Sequence, residues 1–301
     1  MRNILCRLLI SLFFLFLVGC SAGRKPIPPG VIPEQVSVAA EDEQYGQQVL
    51  AELTDNYKLD TDDARINRTR DIVGRLADAA NAGKNPWNVY VLFDNAIKNA
   101  AATRGNYIFV WTGMVNAVQN DDELAAILAH EMGHVLAQHT MPDPMEEISG
   151  AISGIAGSVA GQVISARGGP SILAELGEDL VKASINALIS NPEQQRKELE
   201  ADQIGLFLMA DARYNPQHAA DFWQRVKTDP DFQGNGLLFF STHPSSEERL
   251  KQIQKYLPDA IIRYEDSVAS RKKAGKYSNS SNNGAKRPQS KKTQKISSGV
   301  Y

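Results

Sequence analysis

The sequence has 301 residues but only two cysteines, and both lie within its first twenty positions. Cys6 lies just before an N-terminal apolar run, inside the same expected signal, and Cys20 lies two residues after that run. A chain that loses this N-terminal segment therefore has no cysteine pair, which excludes a disulfide-stabilised scaffold. The apolar run itself, residues 8–18, is too short to span a bilayer as a free-standing helix. The chain also lacks internal repeats. At this length we expect one compact domain between two unlike ends.

The N-terminus has the layout of a secretory signal that ends at a cysteine. Two early arginines precede the apolar run, which ends in LVGC, a sequence that resembles the lipobox of bacterial lipoproteins. We therefore expect a signal peptide over residues 1–19, followed by lipidation of Cys20. The alternative is an ordinary cleaved signal with an incidental cysteine. Ser21 stands where an aspartate would retain a lipoprotein in the inner membrane. The resemblance thus implies the outer membrane, facing the periplasm, or the cell-membrane surface in a source without an outer membrane.

The segments on both sides of the expected domain have the composition of irregular chain. Residues 20–40 are rich in proline, which predicts an extended tether. Residues 267–301 contain nine Lys or Arg and no Asp or Glu, and they show no hydrophobic periodicity. This composition predicts a disordered basic tail over residues 266–301, either as a solubilising segment or for contact with anionic lipid or polymer. The compact domain is then expected at residues 41–265, and nothing in it indicates a nucleic-acid partner.

The central part shows mostly helical periodicity, with two short extended runs, WNVYVLF and NYIFVW. We predict an α+β fold that is mainly α-helical and carries a small antiparallel sheet. Helices are expected at these ranges: 41–57, 62–81, 121–139, 172–189, 193–210, 216–227 and 245–256. The uncharged segment 148–166 is long enough for a membrane span. Its glycines and serines favour a closely packed helix instead.

The most informative motif is HEMGH, residues 130–134, on the strongly patterned helix. Residues four positions apart lie on the same helical face, so His130 and His134 can turn imidazole nitrogens toward one metal ion. Glu131 lies beside the first ligand and can take a proton from a water that the metal has made more acidic. The motif predicts a catalytic site with one zinc ion per chain, rather than a chance occurrence of the pattern.

A catalytic zinc needs a third protein ligand, and the sequence excludes two common sources of it. The metzincin pattern requires glycine and histidine where this chain has Ala137 and Thr140. His139 comes one residue too early for that pattern and is interpreted as a structural residue at the helix end. Thermolysin-like enzymes have a glutamate near the position of Ser153 and Gly154. Neither group of enzymes fits.

The stretch ELEAD, residues 198–202, offers a better source, because Glu198 can complete the metal shell while Asp202 accepts a hydrogen bond from a ligating imidazole. The pair of motifs resembles the zinc metallopeptidases of the HtpX and CAAX prenyl protease type, within them the bacterial periplasmic lipoprotein branch of BepA-like and LoiP-like proteins. The resemblance implies a zincin-like domain with Glu198 as the ligand, and it leaves Glu200 exposed. If Glu198 is not the ligand, Glu200, Glu175 and Glu178 are the next candidates.

Two further segments resemble that branch. STHPSSEERL contains His243 and Arg249 and is similar to its C-terminal T-H-P motif. His243 is expected either to stabilise the developing oxyanion or to occupy the open zinc position at rest, and Arg249 to support the ligands. The alternative for His243 is a histidine in a capping loop. Asn99 and Ala100 resemble the start of an edge strand to which a substrate backbone adds, although the residues after them depart from the usual family sequence.

These observations favour a lipid-anchored zinc endopeptidase of the bacterial cell envelope. It would cleave misfolded or outer-membrane proteins in quality control, with outer-membrane assembly machinery as a possible partner. The first alternative is a chaperone or assembly factor that cleaves little. The second is a binding module that docks other surface components. Glu131 favours the enzyme, since a binding site alone has no use for a base at this position.

Overall fold

The computed structural model describes residues 25–35, 37–141, 192–228, 243 and 247–282. Several predictions lie outside these ranges and stay predictions: the signal at 1–19, Cys20, the segment 148–166, the helix at 172–189, Glu175, Glu178 and the end of the basic tail.

The described chain is mainly helical with one small sheet, which confirms the predicted fold class. Its elements have these bounds: α1 Ala40–Asn56, β1 Lys58–Leu59, α2 Asp63–Ala79, β2 Asn88–Phe93, β3 Ala100–Thr103, β4 Tyr107–Trp111, α3 Thr112–Ala117, α4 Asp121–Leu136, α5 Pro192–Asp211, α6 Gln217–Thr228 and α7 Glu247–Asn282. No described helix combines the length and the apolar character that a membrane span requires.

The sheet has the strand order β1-β2-β4-β3 and is mixed. Its central strands β2 and β4 pair in parallel, so the predicted antiparallel arrangement is wrong for the two runs on which it was based. The reason is strand β3, which reverses the chain direction between them and pairs antiparallel with β4. The β3–β4 turn contains Gly105 and Asn106, both with positive φ. Because β3 is the last strand in this order, it forms one edge of the sheet.

Strand β4 separates the two hydrophobic cores of the protein. Ile108 and Val110 face the main core, which α2, α4, α5 and α6 share. The side chains of Tyr107, Phe109 and Trp111 point to the other face and pack against α1. All five residues of the strand are buried, as expected for a strand covered on both faces.

Helix α4 carries the HEMGH motif, and its start is fixed by a reciprocal cap. The Asn120 side chain accepts a hydrogen bond from the Glu123 N–H at 2.9 Å, and the Glu123 carboxylate accepts one from the Gln119 N–H at 2.7 Å. The cap is thus Asn120, the residue directly before the two aspartates with which the helix begins. Those aspartates lie in the first turn, where their negative charges interact favourably with the helix dipole.

Helices α4 and α5 pack closely because glycine lies at two of their contacts. A Cβ on Gly133 would lie 2.9 Å from the Ala201 carbonyl oxygen, and a Cβ on Gly205 would lie 2.9 Å from the His130 nitrogen. Gly133 therefore allows the close approach of the two helices. This approach carries the acids of α5 to the histidines of α4.

Residues 25–35 form a segment that we call the N-terminal strap, and it docks on the domain. The Ile27 N–H donates to Glu200 Oε1 at 2.6 Å, and Gln203 Nε2 donates to the Ile27 carbonyl at 2.6 Å. Arg263 donates to the carbonyl of Gly30 at 2.6 Å. This part of the expected tether is therefore bound to the protein through its backbone.

Helix α7 extends much further than expected. It runs through Asn282, whereas the sequence predicted a helix ending near residue 256 and a disordered tail from residue 266. Pro258 lies within the helix and does not end it. Arg263 pairs with Asp211 of α5, so the helix beyond Pro258 is held to the domain by an ion pair.

Candidate active site

Helix α4 presents two imidazoles to one point, as its spacing predicts. The Nε2 atoms of His130 and His134 lie 3.2 Å apart, and the rings meet nearly at right angles. Both residues are buried. From α5, Glu198 approaches the same point, with its carboxylate oxygens 3.4 Å from His130 Nε2 and 3.4 Å from His134 Nε2.

His243 completes the cluster from the segment before α7. Its Nδ1 lies 3.2 Å from His130 Nε2 and 3.2 Å from both carboxylate oxygens of Glu198. The ligand atoms of His130, His134, Glu198 and His243 lie within 4.8 Å of one another. Of the roles considered for His243, this placement corresponds to the one that fills a position in the metal shell.

Zinc fits this donor set. Three imidazole nitrogens and one carboxylate oxygen are ligand types that zinc takes in tetrahedral sites. Ligands at about 2.0–2.1 Å from a tetrahedral ion lie roughly 3.3–3.4 Å from one another. The contacts in the cluster measure 3.2 Å between His130 and His134 and 3.4 Å from either one to Glu198. The spacing of His130, His134 and Glu198 is therefore the spacing that a zinc ion requires.

Glu131 lies beside the cluster and not in it. Its side chain is buried, and Oε1 lies 3.3 Å from His243 Nε2. Among the described residues this oxygen accepts no hydrogen bond. Buried carboxylate oxygens are normally hydrogen-bonded, so an oxygen without a donor indicates a group kept for a ligand or a water.

Asp202 and Arg249 support the cluster from behind. Asp202 Oδ1 lies 3.0 Å from His130 Nδ1. Arg249 holds the same carboxylate with two hydrogen bonds of 2.7 and 2.8 Å, and it reaches Glu198 at 2.9 Å. Asp202 and Glu198 both pair with the buried guanidinium of Arg249, and its positive charge offsets part of the cost of burying two negative charges.

Electrostatics keep the two carboxylates ionised. Burial alone would raise the pKa of Glu198, but His243 and Arg249 hold it well below its usual range. Burial likewise acts to raise the pKa of Asp202, which Arg249 and His130 keep low. Burial would lower the pKa of His130, yet hydrogen bonding to Asp202 and Glu198 raises it to about 9. The two ionised carboxylates therefore favour a positive charge at the cluster.

The second histidine of the motif, His134, has a partner that the sequence did not reveal. His139 Nδ1 lies 3.0 Å from His134 Nδ1, and His139 Nε2 lies 2.8 Å from Glu200 Oε2. Glu200 is only 5% exposed, so the expectation that it faces solvent is wrong. The reason is the N-terminal strap, which covers it. Glu200 is also too occupied by His139 and Ile27 to replace Glu198 as the ligand.

Asn99 and Ala100 lie where strand β3 begins, at the edge of the sheet. Both are buried, and the Asn99 carbonyl accepts a hydrogen bond from the Trp111 N–H at 3.0 Å. The Asn99 side chain accepts from the Ala100 N–H at 3.0 Å and is therefore turned back on its own backbone. Strand β3 also packs against α4. The edge of the sheet thus runs beside the helix that carries the histidines.

Trp223 of α6 is a site residue that sequence reasoning missed. The Arg249 guanidinium lies 4.3 Å from its ring centroid, and the His130 ring lies 6.0 Å away in an edge contact. Trp223 therefore packs against both a ligand and the arginine behind it. Its only signal in the sequence is its place on the apolar face of an amphipathic helix, which does not distinguish it from other core residues.

Comparison with known proteins places these residues in context. Residues 63–257 match peptidase family M48. The cluster residues His130, His134, Glu198 and His243 all fall in that range, whereas the N-terminal strap precedes it.

Among curated proteins, the chain is similar to two yeast enzymes named mitochondrial metalloendopeptidase OMA1. It is 31% identical to that of Schizosaccharomyces pombe, over 65% of this chain and 54% of the relative. It is 32% identical to that of Saccharomyces cerevisiae, over 61% of this chain and 51% of the relative. It is also 27% identical to a putative beta-barrel assembly-enhancing protease of Vibrio cholerae, over 68% of this chain and 42% of the relative. The chain thus spans about half of the length of these relatives or less.

Proposed function

Because the chain belongs to peptidase family M48, we propose that it is a zinc-dependent metalloendopeptidase that hydrolyses peptide bonds of protein substrates. One observation carries the proposal. A buried Glu131 oxygen without a hydrogen-bond donor in the described structure lies next to a donor cluster of zinc dimensions. A site that only bound metal would leave this carboxylate without a purpose.

The chain's own residues divide the work of the reaction. His130, His134 and Glu198 would hold the metal, which would lower the pKa of a coordinated water and polarise a peptide carbonyl. Glu131 then takes the proton of the attacking water and passes it to the amine that leaves. Asp202 and Arg249 keep His130 and Glu198 in place while charge shifts at the site.

The substrate backbone is proposed to add to the free edge of β3 as a further strand. The edge lies beside α4, and Ala101 and Ala102 in its centre are partly exposed with small side chains. Backbone hydrogen bonds along an edge strand give affinity with little dependence on sequence. This suits an enzyme for unfolded chains.

His243 is proposed to close the site at rest. With Nδ1 3.2 Å from His130 Nε2 and from Glu198, it takes the fourth position that a water or substrate needs. Its Nε2 at the same time faces Glu131. Withdrawal of His243 would open both the metal and the base, after which the imidazole can stabilise the oxyanion.

The location that we propose is the bacterial outer membrane, through lipid on Cys20, with a role in quality control of envelope proteins. The sequence around Cys20 supports the anchor. The relatives named as beta-barrel assembly-enhancing proteases, from Vibrio cholerae and Yersinia pestis, support the role at 27% and 29% identity. Outer-membrane assembly machinery is the partner that this role requires.

The decisive variant is Glu131→Gln, which keeps the side-chain volume and removes the base. We expect zinc to remain stoichiometric and chelator-sensitive cleavage of casein to fall about a hundredfold to ten-thousandfold. Glu123→Gln is the matched control, because it makes the same change two turns earlier on α4, where Glu123 pairs with Arg225. The folded fraction of that variant should cleave casein at the wild-type rate. Unchanged cleavage by the Glu131 variant would overturn the role of this residue.

The alternative, a chaperone or assembly factor that cleaves little, is favoured by the closed position of His243. It predicts that wild type and the Glu131 variant suppress aggregation equally and that neither cleaves. If neither cleaves, His243→Ala separates the two explanations. Cleavage by the variant that lacks the imidazole supports a protease whose site His243 closes at rest. Continued absence of cleavage supports the chaperone.

A further inference from the structure

The two histidine ligands of α4 have different supports on α5. His130 Nδ1 faces Asp202 directly at 3.0 Å. His134 Nδ1 has no carboxylate of its own at that distance among the described residues. It contacts His139 Nδ1 at 3.0 Å, and His139 Nε2 contacts Glu200 Oε2 at 2.8 Å. Glu200, His139 and His134 are all buried or nearly so.

With Glu200 ionised and His139 neutral, donor and acceptor rules set the protons along this chain. An ionised carboxylate only accepts, so the Glu200 contact requires a hydrogen on His139 Nε2. A neutral imidazole has one donor and one acceptor nitrogen, which makes His139 Nδ1 an acceptor. The His134 nitrogen that faces it must then carry the hydrogen. That leaves the lone pair of His134 on Nε2, the atom that points into the metal cluster.

The carboxylate at the far end is held by the N-terminal strap. Glu200 Oε1 accepts the Ile27 N–H at 2.6 Å, while its other oxygen contacts His139. The Ile27 carbonyl accepts from Gln203, one turn further along the same face of α5. The strap residue therefore makes backbone hydrogen bonds in both directions to the helix that supplies Glu198.

We propose that Glu200 and His139 are positioning residues that set the tautomer and orientation of His134, and that the backbone of Ile27 completes this unit. The proposal deepens the proposed function and rests on it only in taking His134 as a zinc ligand. It assigns a purpose to a segment outside the range that matches the peptidase family. The strap then contributes to metal binding without touching the metal.

The first test uses the unaltered, metal-free protein. Imidazole nitrogen NMR distinguishes the two neutral tautomers, and we expect His134 to carry its hydrogen on Nδ1. A hydrogen on Nε2 in the folded, metal-free protein would overturn the proposal. This measurement needs no variant and no catalytic activity.

The second test measures zinc affinity by competition with a chromophoric chelator. Outer partners of metal ligands are worth about tenfold to a hundredfold in affinity, so we expect that loss in both His139→Ala and Glu200→Ala. Because the residues act in series, the double variant should lose no more than either single one. His218→Ala is the matched control, since His218 lies on α6 near Asp122 and away from the cluster. Zinc affinity equal to that of the control in both site variants would contradict the proposal.

The third test isolates the strap hydrogen bond. Ile27→Pro removes the N–H that Glu200 accepts, whereas Ile27→Ala removes the side chain and keeps the N–H. We expect weaker zinc binding in the proline variant and near wild-type binding in the alanine variant. Equal affinities in the two variants would exclude the hydrogen bond as the contribution of the strap. Since every readout is zinc binding or tautomer, failure here is distinct from failure of the proposed peptidase activity.

Discussion

The close approach of α4 and α5 can be tested by adding a single methyl group at Gly205. A Cβ there would lie 2.9 Å from the His130 nitrogen and 3.0 Å from the Ala129 carbonyl carbon. Both are backbone atoms, so no side chain can turn aside. Ordinary contacts begin at 3.4 Å, and the helices must therefore separate by about 0.5 Å to accept the methyl group.

This separation acts on both stability and metal binding. Overpacking of this kind lowers the free energy of unfolding by about 1–3 kcal/mol. Replacing glycine by alanine within a helix returns about 1 kcal/mol, which leaves a modest net destabilisation. Metal binding should respond more strongly, because ligand distances tolerate only about 0.2 Å. Glu198 moves with α5 while His130 and His134 stay on α4, so we expect zinc affinity to fall about tenfold or more.

Gly74→Ala is the matched control. Gly74 lies in α2 on the exposed surface, and a Cβ there would have no atom within 4 Å. The free energy of unfolding of that variant should rise by about 0.5–1 kcal/mol, and its zinc affinity should not change. Urea unfolding of the metal-free proteins and competitive zinc titration measure both quantities. A Gly205 variant that gains as much stability as the Gly74 variant and binds zinc normally would refute the reasoning.

Two further predictions concern a buried acid and the proposed anchor. Hydrogen bonds from Arg65 lower the pKa of Asp60, so the stability this group contributes is present above the unfolded aspartate value of about 4 and is lost as the pH falls through the folded-state value. Asp60→Asn should therefore cost about 1–3 kcal/mol in urea unfolding at pH 7 and progressively less below pH 4, and a cost independent of pH would contradict this. Cys20→Ala should abolish metabolic labelling by palmitate and leave the protein unprocessed or soluble, whereas persistent labelling would exclude Cys20 as the lipid site.

Local patterns in the sequence were enough to predict the catalytic helix. The spacing of His130 and His134 and the apolar residues around them depend only on helical geometry, and the structure brings the two imidazoles together. Glu198 needed the resemblance as well, because spacing alone does not distinguish a ligand from a surface acid. Once α4 and α5 pack through glycine, the position of Glu198 follows.

The parts that could not be predicted all depend on contacts between distant segments. Glu200 has the sequence pattern of a surface acid in its own helix, but its carboxylate contacts His139 and the strap, which lies more than 170 residues earlier. His139 likewise has the sequence pattern of a residue at a helix end, since its acidic partner Glu200 lies 61 residues later. The parallel pairing of β2 and β4 depends on which neighbour β3 takes, and a run of alternating residues does not contain that information.

The docked strap also limits how far the enzyme can work from an anchor. If Cys20 carries lipid, only six residues lie between it and the docked Ile27, instead of the whole tether expected over residues 20–40. The seven residue steps from Cys20 to Ile27 extend to about 25 Å at most. The side of the domain that holds Glu200 would then remain within that distance of the bilayer surface. Substrates would be limited to chain segments close to the membrane, and a lengthened linker before Ile27 would widen that working range without altering the site.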